Sequence, residues 1–169
     1  MYDRTITVFN HHNGVWYPHV IRNADLIATQ SKGRTAMFNE TNADSVEIIV
    51  RFRKARGRVV DGDGNAIVDR FLNVLVWGDP FTAIETDDGR MRYLPPKEYS
   101  ACESPEDCIT FQPETDFLLD GEWPGTEPIQ DGDYDNGLYN YLNEERDGVY
   151  MLTHATQYRL LPHFEIGGR

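Results

Sequence analysis

The strongest constraint on how this chain can fold is the two-residue periodicity of its apolar positions. In Ser45 to Arg53, Val46, Ile48, Val50 and Phe52 fall on one face, while Glu47, Ile49, Arg51 and Arg53 fall on the other. A residue every 180° is the period of a half-buried strand and cannot place one apolar stripe on a helix. Arg4 to Phe9 alternates in the same way, and His11-His12-Asn13-Gly14 supplies a turn ending in Asn-Gly. Val15 to Ile21 reads as the returning strand, with Pro18 marking an edge or a bulge because it has no amide N–H for a ladder bond. Ala24 to Thr29 is a third extended piece. Ala66 to Trp77, Ile109 to Gln112, Phe117 to Asp120 and Val149 to Leu161 also read as strands.

Helical spacing occurs once, at 133–146, where Tyr134, Leu138 and Leu142 recur every fourth residue and Gly148 follows as a stop. Asp133 or Asp135 is placed to cap that helix. The stretch 54–65 is rich in Gly and charge, and 78–108 reads as an irregular insertion punctuated by Gly78-Asp79-Pro80 and Pro95-Pro96. No internal repeat stands out. The expected fold is a single β-rich domain over 1–169, a small β-barrel or sandwich with long loops and one short helix.

Charge is distributed unevenly. Residues 1–60 hold nine Lys/Arg and five Asp/Glu, whereas 103–147 hold fourteen acidic residues against Arg146 alone. Such a surface repels phosphate, which argues against tight nucleic-acid binding by the C-terminal two-thirds. It suits a soluble face, a passage through which DNA slides, or the docking of a basic face on an acidic one in head-to-tail assembly. The opening residues Met1 to Thr5 lack the basic head and apolar stretch of a secretory signal, and no run is long and apolar enough to span a bilayer. A protein made in the cytoplasm, without a membrane partner, is expected.

Motifs that carry chemistry fail on inspection. Asp61-Gly62-Asp63-Gly64-Asn65 opens like a calcium loop, but Ala66 and Leu72 stand where Gly and Glu are needed. Asp131-Gly132-Asp133-Tyr134-Asp135 fails in the same way at Leu142. His11, His12, His19, His154 and His163 form no zinc-ligand spacing. Cys102 and Cys108 match neither a metal nor a redox motif, and two free thiols are expected, with a disulfide around 103–107 as the alternative. Ser31, Ser45, Ser100 and Ser104 lack a nucleophile-elbow frame, and Gly57 and Gly62 lack a phosphate-loop signature. Glu114, Asp116, Asp120 and Glu122 beside Phe117 and Trp123 imitate a sugar cleft, but read better as alternating acids on a solvated strand face. No catalytic residue, metal site or cofactor site is expected, and the chain is read as non-enzymatic.

Two stretches carry a resemblance. Tyr2 to Asn10 followed by Trp16-Tyr17-Pro18, and Tyr158 to Arg169, are similar to the ends of small head–tail connection (neck) proteins of tailed phages of Gram-positive bacteria. Ile109-Thr110-Phe111 and Asp116 to Glu122 resemble the middle of head-closure, or stopper, proteins. The resemblance covers about a third of the chain and implies a virion protein. It would be a homo-oligomeric ring between portal or adaptor and the tail-completion proteins, made in the host cytoplasm, with DNA passing transiently and non-specifically. Interface candidates are Trp16, Tyr17, Trp123, Tyr158, Pro162, His163, Phe164 and Ile166, since aromatic side chains anchor protein contacts. The Tyr158–Ile166 segment is expected to dock on a neighbour or on its own barrel. Loops at 54–65 and 78–108 are the candidates for reaching into a channel. The alternatives are another virion role (tail terminator or minor capsid protein), a carbohydrate-binding β-sandwich using Trp16, Trp77 or Trp123, and a carboxylate hydrolase.

Overall fold

The computed structural model describes residues 3–29 and 45–169. Met1, Tyr2 of the opening phrase, and Ser31 lie outside the described residues. Alternation in the first residues builds β1 (Arg4–His12), and Asn13-Gly14 reverses the chain into the long β2 (Val15–Thr29). Asn13 and Gly14 both take positive φ, 50° and 77°, as a type I′ hairpin turn requires. Asparagine tolerates that region and glycine has no Cβ to clash in it. Gly14→Ala is therefore expected to lower stability by about 1 kcal/mol, read as a shift of the urea midpoint at constant m-value.

Within the barrel β2 serves two partners. Its first part pairs with β1, with Ile6 opposite Ile21. A bulge at Asn23, φ 60°, then turns the strand so that Asp25 to Thr29 pair with β3 (Ser45–Arg51). Pro18 lies opposite Phe9, beyond the reach of β9 (Ile129–Gln130), which pairs only with Val15 and Trp16 on the outer edge. The missing proline N–H therefore breaks no ladder on that side. β8 (Phe117–Asp120), β10 (Val149–Tyr158) and β11 (His163–Gly168) complete the circle. The order β1-β8-β10-β11-β3-β2, with β2 back on β1, is a closed six-stranded antiparallel barrel. Closure removes the exposed sheet edges.

Both faces of the β1–β8–β10 wall are buried. Ile6, Val8, Leu118 and Leu152 point into the barrel with Val46, Ile48, Val50, Phe164 and Ile166. Phe9, Phe117, Leu119 and Val149 point outward, where Leu138 and Leu142 of the later helix cover them. This explains why Phe117-Leu118-Leu119 is apolar throughout instead of alternating. A second sheet runs β4 (Arg53–Arg58), β5 (Val76–Thr86), β6 (Gly89–Tyr93) and β7 (Cys108–Ile109), with β7 parallel to β6. Its inner residues Ile84, Met91 and Ile109 join the barrel core, and Tyr93 and Phe111 meet Phe164 at ring-centroid distances of 4.5 and 5.1 Å.

Several expectations change. Residues 78–108 are not irregular: they form most of β5, all of β6, a short helix α1 (Pro96–Ser100), a 3-10 turn at Pro105–Asp107 and the start of β7. The helix near 133–146 is shorter, α2 (Leu138–Glu145), because Gly137 takes φ 86° and a separate 3-10 turn occupies Asp131–Asp133. Asp131, rather than Asp133 or Asp135, satisfies its start: Oδ1 accepts the Leu138 amide at 2.9 Å and the Trp16 indole N–H at 2.7 Å. Those two donors, the indole first, hold the Asp131 carboxyl below the usual carboxylate range. The strand expected at Ile109 to Gln112 ends at Ile109. Among the described residues, no helix is long and apolar enough to cross a membrane.

Candidate functional site

Between β4 and β5 the chain leaves the core as an arm. Residues 59–66 (Val-Val-Asp-Gly-Asp-Gly-Asn-Ala) and 67–74 (Ile-Val-Asp-Arg-Phe-Leu-Asn-Val) are two copies of one eight-residue unit, and Leu75-Val76 begins a third. The copies fold alike. Asp61 Oδ1 accepts the amides of Asp63 and Asn65, and Asp69 Oδ1 accepts those of Phe71 and Asn73, at 2.8–3.0 Å. Gly64 and Leu72, at equivalent places, both take positive φ, 83° and 65°. The three unit starts close a ring of amide-to-carbonyl bonds: Val59 to Leu75, Ile67 to Val59 and Leu75 to Ile67, at 2.9–3.0 Å. The calcium-like spacing of the aspartates thus serves backbone turns, in which a short carboxylate stands in for a missing ladder partner.

The arm is apolar and uncovered. Every residue from 60 to 80 is exposed except the half-buried Asp69. Phe71 is 69%, Leu72 81% and Trp77 64% exposed, with Val60, Val68, Val74 and Val76 between 42% and 52%. Apolar side chains grouped in this way on a surface mark a contact site. The Trp77 ring lies over Gly57, close enough that a Cβ at 57 would strike it, and its indole N–H donates to the Arg58 carbonyl at 3.3 Å. The stem strand β4 presents Arg53, Lys54, Arg56 and Arg58 to solvent along the edge of its sheet. Arg53 pairs with Glu85.

The expected interface residues divide by burial. Trp16 is buried in the outer core, and Phe164 and Ile166, 1% and 0% exposed, fill the barrel interior, so none of these three offers a contact surface. The Tyr158–Ile166 segment docks on its own barrel, as β11 between β10 and β3. Pro162 is exposed, Tyr17 and His163 are half-buried, and Tyr158 stacks on His163 at 4.9 Å. Beside them Leu160 and Leu161 are 100% and 77% exposed. Trp123 is half-buried and lines a groove of about 460 Å³ with Pro124, Ile129 and Tyr134, bordered by Glu127 and Asp133. Sequence reasoning missed the arm. Aligning 59–66 with 67–74 would have revealed it.

The carboxylates read as a solvated strand face take different places. Asp116 is fully buried: Oδ1 accepts the His11 amide at 3.0 Å, and Oδ2 accepts the Gln112 amide at 2.9 Å and Asn10 Nδ2 at 3.0 Å. Burial pushes its carboxyl up to about 7, with the three donors pulling the other way. Glu114 faces Arg169, Asp120 pairs with Arg4, and Glu122 pairs with Arg22. These acids therefore sit in separate partnerships. Cys102 and Cys108 are free thiols, and burial, then the neighbouring Cys102, pushes Cys108 up to about 12, far from a reactive thiolate. His19, buried beside Cys108, is held neutral, its pKa lowered to about 4 by burial. Among the described residues no three His, Cys, Asp or Glu side chains come together as metal ligands.

The arrangement offers contact surfaces: an apolar arm on a basic stem, and an acidic groove walled by aromatic side chains. No known protein family, curated protein or solved structure matches the chain.

Proposed function

We propose that this chain is a non-enzymatic, ring-forming structural subunit of a tailed-phage neck, a head-closure (stopper) or connector protein between portal or adaptor and tail. The observation that carries the reading is the arm at 59–80. It is an apolar surface held by its own hydrogen bonds and standing off a barrel whose core is already filled. A monomer gains nothing from such a surface, whereas an assembly subunit buries it. The run of acid at 103–147 suits a passage that DNA crosses without sticking. The resemblance of Tyr2 to Asn10, Trp16-Tyr17-Pro18 and Tyr158 to Arg169 to neck proteins supports that position in the particle.

Electron cryo-microscopy of intact particles tests this. A ring of this chain between portal and tail tube is expected, and its absence from the particle overturns the reading. A tail-terminator position would keep the structural role and move it one ring along. In a carbohydrate-binding module the exposed Trp77 would be the platform, and quenching of its fluorescence by sugars would point there instead.

A further inference from the structure

We propose that the solvent face of the β4–β7 sheet binds single-stranded nucleic acid, stacking bases on Trp77 and holding phosphates with the arginines around it. The inference goes beyond the neck reading and does not depend on it.

The sheet sorts its side chains by face. Ile84 and Met91 enter the barrel core, so the residues that alternate with them point to solvent. Arg53 lies opposite Ala83 and Ala83 opposite Arg92, while Phe81 lies opposite Ala55, Trp77 opposite Gly57 and Arg90 opposite Glu85. Residues opposite one another share a face, so these all stand on the solvent side. Gly57, Ala55 and Ala83 make a low floor. The Trp77 ring is seated over Gly57, with its indole N–H donating to the Arg58 carbonyl at 3.3 Å, and it stays 64% exposed. A ring already held in place loses little freedom when a base stacks on it. The Arg92 guanidinium lies 4.2 Å over the half-buried Phe81 ring. Beside them Arg53, Arg56, Arg58 and Arg90 line a groove of about 430 Å³.

The charge of this sheet runs against that of the chain. β4, β5 and β6 carry six Arg or Lys against Asp79 and Glu85, while the whole chain stands at −12. Glu85 serves both Arg53 and Arg90, and Arg56, Arg58 and Arg92 pair with no carboxylate among the described residues. With acid in such excess, a cluster of unpaired guanidinium groups is kept free for an outside anion. Phosphate suits their planar fork. The aromatic rings then choose among polyanions. A single strand offers flat bases to Trp77, duplex DNA keeps its bases stacked inside, and an acidic polypeptide has no such faces. A neutral sugar would leave the arginines unused. Asp61, Asp63 and Asp69 lie on the arm beyond the Gly57–Trp77 pair, and Asp87 is bound by Arg22. The remaining acid holds the affinity to about 1–100 µM.

The test is fluorescence anisotropy of a labelled oligothymidylate of about 15 nucleotides, titrated with the purified full chain at low salt. Binding is expected, and it weakens as salt rises. Trp77→Ala is expected to weaken it about tenfold, and Trp77→Phe to keep most of it. Arg56→Gln with Arg58→Gln is expected to lower the slope of log affinity against log salt by about 1.4, the single-strand value for two phosphate contacts. Phe71→Ser, on the arm and off the sheet, is expected to leave binding unchanged. These residues are exposed, so an unchanged thermal unfolding midpoint verifies that each variant folds. A second readout stands on folded protein alone: the oligonucleotide quenches tryptophan emission in wild type and not in Trp77→Phe. Absence of binding up to about 100 µM chain overturns the proposal. Equal affinity for a duplex of the same length, indifferent to Trp77→Ala, overturns it as well. Displacement of the oligonucleotide by polyglutamate at matched charge would assign the face to an acidic polypeptide and overturn it. Quenching by sugars without oligonucleotide binding would do the same in favour of a carbohydrate. None of these outcomes touches the neck reading, which the position of the chain in the particle decides.

Discussion

Asp116→Ala is expected to lower the unfolding free energy by about 3–5 kcal/mol in urea denaturation, because it removes the acceptor of two backbone amides and of one Asn10 side-chain N–H at a buried site. Those donors, the amides of His11 and Gln112 and the Asn10 side chain, belong to β1 and to the loop before β8. Asn10 also donates to the Thr110 carbonyl at 2.7 Å and accepts the Thr110 amide at 3.2 Å, so one carboxylate organises a crossing of two chain segments. Its protonation gives the prediction a second arm. Burial raises the folded pKa to about 7 from 3.8, so the native state keeps a proton that the unfolded chain has released. The stability this group contributes is full below pH 3.8 and is lost as pH rises through about 7. His19 runs the opposite way. Its folded pKa is about 4 against 6.5 unfolded, so its contribution is full above 6.5 and is lost as pH falls through about 4. The two slopes oppose each other across the shared window, and wild-type stability is expected to be nearly flat there. Asp116→Asn removes one slope and leaves the other, so the variant is expected to lose up to about 3 kcal/mol of stability on acidification across that window. A variant as flat as wild type would show that His19 accepts its proton freely in the fold.

Phe117→Ala is the second large effect expected, about 3–5 kcal/mol, measured in the same way. Phe117 is fully buried on the outer face of β8. Its ring stacks on Phe9 at 4.6 Å and meets Trp16 and Tyr139 at 4.8 and 5.3 Å. Alanine would leave a cavity among groups fixed by the barrel wall on one side and α2 on the other, so the site collapses poorly and the cost stays high. Tyr158→Ala supplies the contrast. Tyr158 is 43% exposed and stacks on His163, and its removal is expected to cost less than about 1 kcal/mol.

The strands that line the barrel were legible because each buries a repeating set of side chains. The Asn13-Gly14 turn and the run at 117–120 appear as read. The alternation from Val46 to Phe52 holds in the burial, although the strand read as Ser45 to Arg53 breaks at Phe52, where the chain leaves β3 for β4 in the second sheet. Together they mark a β-rich fold, with barrel or sandwich left open. Legibility failed where another rule governs. The arm has no inside, so its period of eight comes from repeated Asp-centred turns, and a search for apolar alternation splits it into a loop and a strand. Trp16, Phe164 and Ile166 were offered as interface anchors because aromatic and apolar residues serve both roles. Only the three-dimensional path separates an anchor from a core residue. Asp116 looked solvated because its sequence neighbours Glu114 and Asp120 are acidic, yet the turn that lets Asp116 and Thr115 donate back to the Gln112 carbonyl carries it inward. The end of α2 nearest Gly137 was misplaced because Tyr134 continues the helical spacing, while the backbone at 137 is left-handed.

The contrast between arm and barrel has a kinetic side. The hydrogen bonds that Asp61 and Asp69 accept in the arm's turns join residues two or four apart, so those turns can close on the timescale of hairpins, about microseconds. The barrel must bring Val46 to Gly168 and Phe9 to Phe117 before its circle is complete, and such distant pairings make for slow folding. A nascent chain would thus display a finished, sticky arm well before it owns a barrel. The row of Arg and Lys along β4, which borders that arm on an open sheet edge, is placed where charge deters premature strand-to-strand association.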